Sequence, residues 1–280
     1  TLFSYKNGIL KISIEPRRRY LEVNLTKYEY LPKDFDSIGG LLLTENKLII
    51  TFKKNVKNIE PKGWASFDIN LTNITALING KIVRYDLKPL YHIHRVYEIK
   101  RKRIQKLSKH KSATGRRLMQ KYSRRERNRV RDFMHKLTTK IAKELSELKI
   151  GVILENLRNI KSRVLRKSRD LNRKLSKWNA RMFQFMLEYK LKWLDLPVKY
   201  VNPRNSSKTC PLCSGRMATY GGRLMKCKKC GLVLDRDVVA ALNLQMWGSG
   251  VTLKAPLELL SSMMEKRLID RSSQYSMKAY

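Results

Sequence analysis

Apolar and polar side chains alternate through the first quarter of this chain and then give way to a longer period. Positions 8–14 and 20–25 alternate with the period of a half-buried strand, and 41–52, two apolar runs on either side of Glu45-Asn46, reads as a hairpin with its turn there. The first sixty residues therefore read as a small antiparallel β unit, part of a barrel that is cut at its start. Positions 64–70 predict a further strand, and 72–78 with 81–85 a hairpin across Asn79-Gly80, a favoured two-residue turn. From about 90 to 148 the period lengthens. Val130, Phe133, Met134, Leu137, Ile141 and Leu145 fall on one helical face, with Ser112-Ala-Thr-Gly115 as the break between two helices. The continuous apolar run 149–154 reads as a strand buried on both faces, ending at Glu155. A helix is expected over about 170–194, with Leu171, Leu175, Trp178, Met182, Phe185, Met186 and Tyr189 on one side. A short strand at 198–201, a helix at 237–246 and one more helix at 256–268 complete the prediction.

Charge changes the meaning of the helical stretch. The 280 residues carry 61 Lys+Arg against 23 Asp+Glu, a net charge of +38, and between Arg95 and Lys143 there are 19 basic residues and three acids. An imbalance so one-sided does not describe a face solvated by its own salt bridges. It describes a surface that tracks phosphates and releases counterions. The residues expected to do so are Arg101, Lys102, Arg103, Arg116, Arg117, Arg124, Arg125, Arg127, Arg163, Arg166, Lys167 and Arg173. No apolar run approaches the roughly 20 residues that span a bilayer, and no signal-peptide pattern opens the chain, so a membrane partner is not expected. The chain begins at Thr1 rather than Met, as a fragment would.

Two sets of residues carry chemistry. The four cysteines form two knuckles, Cys210-Pro-Leu-Cys213 and Cys227-Lys-Lys-Cys230, a spacing that presents four thiolates to one tetrahedral zinc ion. A closed ligand set of this kind is structural, and reduced cysteines fit a cytoplasmic protein. The four histidines lack ligand spacing, and His92 and His94 read as surface residues. The second set is acidic. Asp68 lies on the first strand of a three-stranded meander, Glu155 ends a buried strand, and Asp235 or Asp237 opens a helix. Taken singly these acids could be a strand end, a salt bridge to Arg158 and a helix cap. Taken in order, they match an RNase H-like fold, which gathers such positions at one sheet edge. There, carboxylates can hold two Mg²⁺ or Mn²⁺ ions around a scissile phosphate.

That order, with the ribbon between the second and third acids, resembles the TnpB/OrfB family of transposon-associated proteins. The resemblance rests on Phe67-Asp68-Ile-Asn70, Val152-Ile-Leu-Glu155-Asn-Leu157, Ser207-Lys-Thr-Cys210-Pro-Leu-Cys213 and Asp235-Arg-Asp237-Val-Val-Ala-Ala-Leu-Asn243. It implies an α/β chain with an RNase H-like (RuvC-like) nuclease domain, inserted basic helices and a C-terminal zinc ribbon, preceded by a partial β-barrel. The implied divisions are 1–60 (barrel), 61–204 (nuclease, with the insert at about 90–148), 205–234 (ribbon) and 235–280 (end of the nuclease domain and tail). The implied activity is RNA-guided, divalent-metal-dependent cleavage of DNA by a protein tied to a transposable element, acting on DNA with a guide RNA in a prokaryotic cytoplasm. Asp68, Glu155 and Asp237 would be catalytic, with Asp235 the second choice for the last. The sequence departs from the family in a short N-terminal lobe, in Ser214-Gly215 after the first knuckle, and in Val239 where the family has Asn. Two alternatives stand beside this expectation: a truncated, catalytically weak regulator that only binds nucleic acid, and a structure-specific nuclease of RuvC type that needs no guide. Oligomeric state is open.

Overall fold

The computed structural model describes residues 2–250 apart from 30, 33, 58 and 159–167. The chain divides into two compact units, Thr1–Lys57 and Asn58–Tyr280. In the first, β1 (Phe3–Lys6), β2 (Ile9–Glu15) and β3 (Arg19–Asn24) form an antiparallel sheet, and β4 (Ser37–Thr44) pairs with β5 (Lys47–Lys53). The β4–β5 turn falls at Glu45-Asn46, where the sequence places it. Strand β1 was not marked by alternation; it is joined to β2 through Asn7 and Gly8, both at positive φ.

The second unit is built on one mixed sheet. Strands β6 (Gly63–Ile69), β7 (Asn73–Ile78) and β8 (Lys81–Asp86) make an antiparallel meander. Its second turn is closed by Asn79 and Gly80 at φ 45° and 73°, the left-handed conformation that favours this pair. Helices α1 (Lys88–Ser108) and α2 (Ser112–Leu148) then carry the chain back to β9 (Ile150–Glu155), which pairs parallel to β6. Helices α3 (Arg169–Ser176) and α4 (Ala180–Trp193) lead to β10 (Val198–Val201), parallel to β9. The spatial order is β10-β9-β6-β7-β8. A small sheet of β11 (Met217–Gly221), β12 (Leu224–Cys227) and β13 (Val233–Asp235) follows, and α5 (Arg236–Ser249) closes the described chain.

The strand period of two sorts the side chains into layers. Phe67 and Ile69, Ile74 and Ala76, and Val152 and Leu154 pack with Val130, Met134, Ile141 and Leu145 of α2 and Phe183, Leu187 and Leu191 of α4. The intervening residues face α5, where Ser66 Oγ donates to the carbonyl of Ala241 at 2.6 Å. Asp68 and Glu155 belong to this second set. Register pairs Phe67 with Leu154 in parallel, so the next residues, Asp68 and Glu155, emerge side by side where the two strands end.

Three local expectations need correction. The helix expected over 170–194 is two helices, interrupted at Lys177–Asn179. Lys177 Nζ donates to Glu98 of α1 at 2.5 Å, and Asn179 bonds His94 of α1 at 2.8 Å, so both side chains are pulled inward where a helix would continue. The restart at Ala180 rotates the face: Phe183, Met186, Leu187 and Leu191 are buried, while Phe185 and Tyr189 are exposed. His94 is buried, not superficial, because on a helix it shares a face with Leu90, Tyr97 and Glu98 rather than alternating as on a strand. The break between α1 and α2 comes at 109–111, and Ser112–Gly115 forms the first turn of α2 instead. The expected helix at 256–268 lies outside the described residues. Among the described residues, no helix is long and apolar enough to cross a membrane.

Candidate functional site

The ends of β6 and β9 and the start of α5 enclose a cavity of about 300 Å³ that brings Asp68, Glu155 and Asp237 together. Ile69, Asn70, Leu157, Trp178, Pro203, Ser206, Ser207, Arg236 and Ala240 complete its lining. All three acids are buried, at 9%, 7% and 4% exposure. Such burial is costly for charge, and the consequences are legible. Burial raises the Asp68 carboxyl far above the usual carboxylate range, the charge of Asp237 adds to this, and the Asn70 hydrogen bond opposes it. Burial likewise raises Glu155, with the charge of Asp68 adding. Mutually repelling, poorly hydrated carboxylates fit a divalent cation, whose charge offsets both penalties.

Each acid is held in place. Asn70 Nδ2 donates to Asp68 Oδ2 at 2.7 Å, and Asn73 Nδ2 to Asp237 Oδ2 at 3.3 Å. Gln184 of α4 donates to the Glu155 carbonyl at 2.8 Å. The two candidate acids of α5 separate clearly. Asp235 is the N-cap: its Oδ1 accepts the Asp237 N–H at 2.9 Å, and Oδ2 lies 3.3 Å from Arg84. Asp237, in the first turn, points into the cavity. Asp235→Ala should accordingly lower stability by about 1 kcal/mol, as lost caps do, seen as a drop in Tm of the purified protein.

The four cysteine sulfurs lie within 4.8 Å of one another. Cys210–Cys230 and Cys213–Cys227 approach to 3.6 and 3.5 Å, close to the ~3.8 Å edge of a tetrahedron with 2.3 Å zinc–sulfur bonds. Cys227 Sγ also accepts N–H bonds from Lys229 and Cys230, the arrangement of a metal-binding knuckle. Gly215 explains the displaced glycine after Cys213: a Cβ there would come within 3.1 Å of Cys227 Sγ and 3.2 Å of Cys213 Sγ. The cluster therefore fits a structural metal such as zinc. Below it Cys210, Met217, Met225, Cys227 and Leu234 pack against Val238, Val239, Ala241 and Leu242 of α5. Val239 is wholly buried there, so the residue that departs from the family pattern serves the joint between ribbon and helix.

Of the residues expected to meet phosphate, Lys102, Arg103, Arg116, Arg117, Arg124, Arg125, Arg127 and Arg173 are exposed on α1, α2 and α3. Arg101 is instead half-buried and ion-paired with Glu126 between α1 and α2. Arg163, Arg166 and Lys167 lie outside the described residues. Other cations were not anticipated at the acids. Arg223, at the β11–β12 turn, pairs with Asp237, and its carbonyl accepts the Arg236 N–H at 2.8 Å. Nothing in the spacing of Arg223 signals this contact, which depends on how the ribbon folds back over α5. Asn70 did have a signal, since it follows Asp68 by two on a strand and so shares its face.

The structure thus defines a strongly basic α/β protein with a buried carboxylate cavity and a four-cysteine ribbon mounted on the same helix. Residues 48–161 match the family described as Probable transposase (OrfB_IS605), and 181–244 match the Cas12f1-like TNB domain. A TnpB-like protein of Methanocaldococcus jannaschii is 38% identical over 258 residues, covering 87% of this chain and 92% of that protein. The chain belongs to the TnpB family. It is also similar to the CRISPR-associated endodeoxyribonuclease Cas12f1 of an uncultured archaeon, 26% identical over 70% of this chain and 40% of the relative. The cryo-EM structure of a CRISPR-Cas12f ternary complex shares the mixed α/β fold, with a TM-score of 0.51 and 25% identity over 71% of this chain and 41% of that one. The chain spans about two-fifths of these Cas12f proteins.

Proposed function

We propose that this protein is an RNA-guided, divalent-metal-dependent DNA endonuclease of a transposable element, with Asp68, Glu155 and Asp237 as its catalytic carboxylates. The observation that carries the reading is the convergence of these three buried acids, from two parallel strands and a helix start, in one cavity. The sheet order, an antiparallel meander followed by two parallel strands, supports an RNase H-like, RuvC-like domain formed by 61–204 and 235–250, with 90–148 as its basic insert and 205–234 as a zinc ribbon. Residues 1–60 are read as part of a β-barrel. Mg²⁺ or Mn²⁺ bound by the three carboxylates would supply charge neutralisation and an activated water for attack on the phosphodiester.

The chain's own residues set up that chemistry. Asn70 and Asn73 fix the carboxylate orientations, and Asp235 holds the helix start that presents Asp237. Arg223 and Arg236 place positive charge beside the acids, where a phosphate oxyanion would arrive. Arg223→Ala should lower the cleavage rate about a hundredfold, with nucleic-acid binding little changed, because one preorganised cation among many is lost only at the reacting phosphate. Single-turnover cleavage alongside a filter-binding assay separates the two. The basic faces of α1 and α2 are read as the surface that holds DNA and RNA backbones, and the cytoplasm as the compartment.

The test is to purify the protein with its bound RNA, sequence that RNA, and offer matching DNA with Mg²⁺. Cutting of matched DNA alone supports the reading. Equal cutting without RNA would indicate a guide-independent nuclease, and binding without cutting in Mg²⁺ or Mn²⁺ a regulator.

A further inference from the structure

The carboxylate cavity has a second character that phosphate chemistry does not require. Beside the acids its lining is apolar, with Trp178, Leu157, Pro203 and Ile69. Trp178 is half-buried: it packs against the core cluster and also lines the cavity. A tryptophan that only filled the core would be enclosed.

The ring is also anchored on its polar edge. Its indole N–H donates to the Ile69 carbonyl at 3.1 Å, one residue beyond Asp68. The residues on either side of it are both anchored to α1. Lys177 donates to Glu98 at 2.5 Å, an ion pair buried on both sides. Asn179 Nδ2 meets His94 Nε2 at 2.8 Å, while His94 Nδ1 meets Glu126 at 2.8 Å. A neutral His94 protonated on Nδ1 satisfies both contacts. The tripeptide Lys177–Asn179 is therefore a strap, and it fixes the plane of one aromatic ring next to the carboxylates.

An aromatic face beside carboxylates that, on the nuclease reading, would hold a metal-bound phosphate suits the nucleobase attached to that phosphate. We propose that Trp178 forms a base-stacking subsite, holding one unpaired nucleobase adjacent to the scissile phosphate and so positioning that phosphate at the acids. A cavity of about 300 Å³ has room for a single nucleotide rather than for a base pair within a helix, at the lower end of ligand-pocket sizes. The inference rests on the nuclease reading, but its test does not depend on turnover.

Single-stranded DNA oligonucleotides, matched to the co-purified RNA and extending beyond the paired segment, carry 2-aminopurine at successive unpaired positions and are bound to the RNA-loaded protein with Ca²⁺ in place of Mg²⁺. One position should be quenched severalfold by wild type and by Trp178→Phe, and not by Trp178→Leu, which stays apolar but cannot stack. In Mg²⁺, an abasic site at that same position should slow cleavage about tenfold in wild type and have no further effect in Trp178→Leu. Circular dichroism of each variant establishes that the fold is retained. Quenching that is independent of Trp178, or abasic and Trp178→Leu effects that simply multiply, would overturn the proposal. Failure of the nuclease reading looks different: Asp68→Ala would then cut as well as wild type, whatever the quenching.

Discussion

Asp68→Ala should bind nucleic acid as wild type does and lose metal-dependent cleavage by on the order of a thousandfold or more. Asp68 sits between the other two acids in the electrostatics of the cavity: it interacts with Asp237 on one side and Glu155 on the other. On the proposed reading, removing it takes away a carboxylate that would hold metal beside both neighbours, and it leaves Arg223 and Arg236 with less negative charge to balance. The fold should tolerate the change, since a buried carboxylate raised toward its neutral form by desolvation contributes repulsion rather than stability. Cleavage rate, binding constant and Tm measured together check this. An active Asp68→Ala variant would remove the basis for the catalytic assignment.

The second large effect is expected at the ribbon. Cys227→Ser should reduce bound zinc from one per chain to none, measured by inductively coupled plasma mass spectrometry, and should abolish cleavage although Cys227 lies outside the acid cavity. Structural four-thiolate zinc sites contribute roughly 10–16 kcal/mol to folding their own segment. Cys227 is well placed to transmit that loss. It ends β12, whose Leu224 pairs with Asp235 in β13, and Asp235 caps the helix carrying Asp237. The same strand turn delivers Arg223 to Asp237. Limited proteolysis should cut the variant within 205–235 while the core sheet remains protected. Full activity in a zinc-free Cys227→Ser protein would show that the ribbon does not set the geometry of the acids.

Much of the site was legible in the sequence because its residues lie in regular elements. The alternation that places Phe67 and Ile69 in the core also requires Asp68 to face the other way, and the apolar run 150–154 ends at Glu155. The cysteines were legible because metal geometry restricts their spacing. Asp235 and Asp237 could not be separated by pattern, since an N-cap and a first-turn acid are both expected at a helix start; the cap hydrogen bond distinguishes them.

What escaped was set by tertiary contacts. The strap at Lys177–Asn179 breaks a segment with helical periodicity because Glu98 and His94, about eighty residues earlier, bind its side chains. Arg101 reads as one more cation in a basic run, yet Glu126 on the neighbouring helix claims it. Arg223 reaches Asp237 across the folded ribbon. In each case two residues far apart in sequence satisfy one another, and local periodicity carries no record of the partner.

The most direct measurement is the anomalous difference map of a crystal grown with Mn²⁺. Peaks bounded by the carboxylates of Asp68, Glu155 and Asp237, absent in crystals of Asp68→Ala, are the predicted result. A map with no peak there, Asp68 still bonded to Asn70 and Asp237 to Asn73 and Arg223, would contradict the reading of this cavity as a metal-dependent nuclease centre.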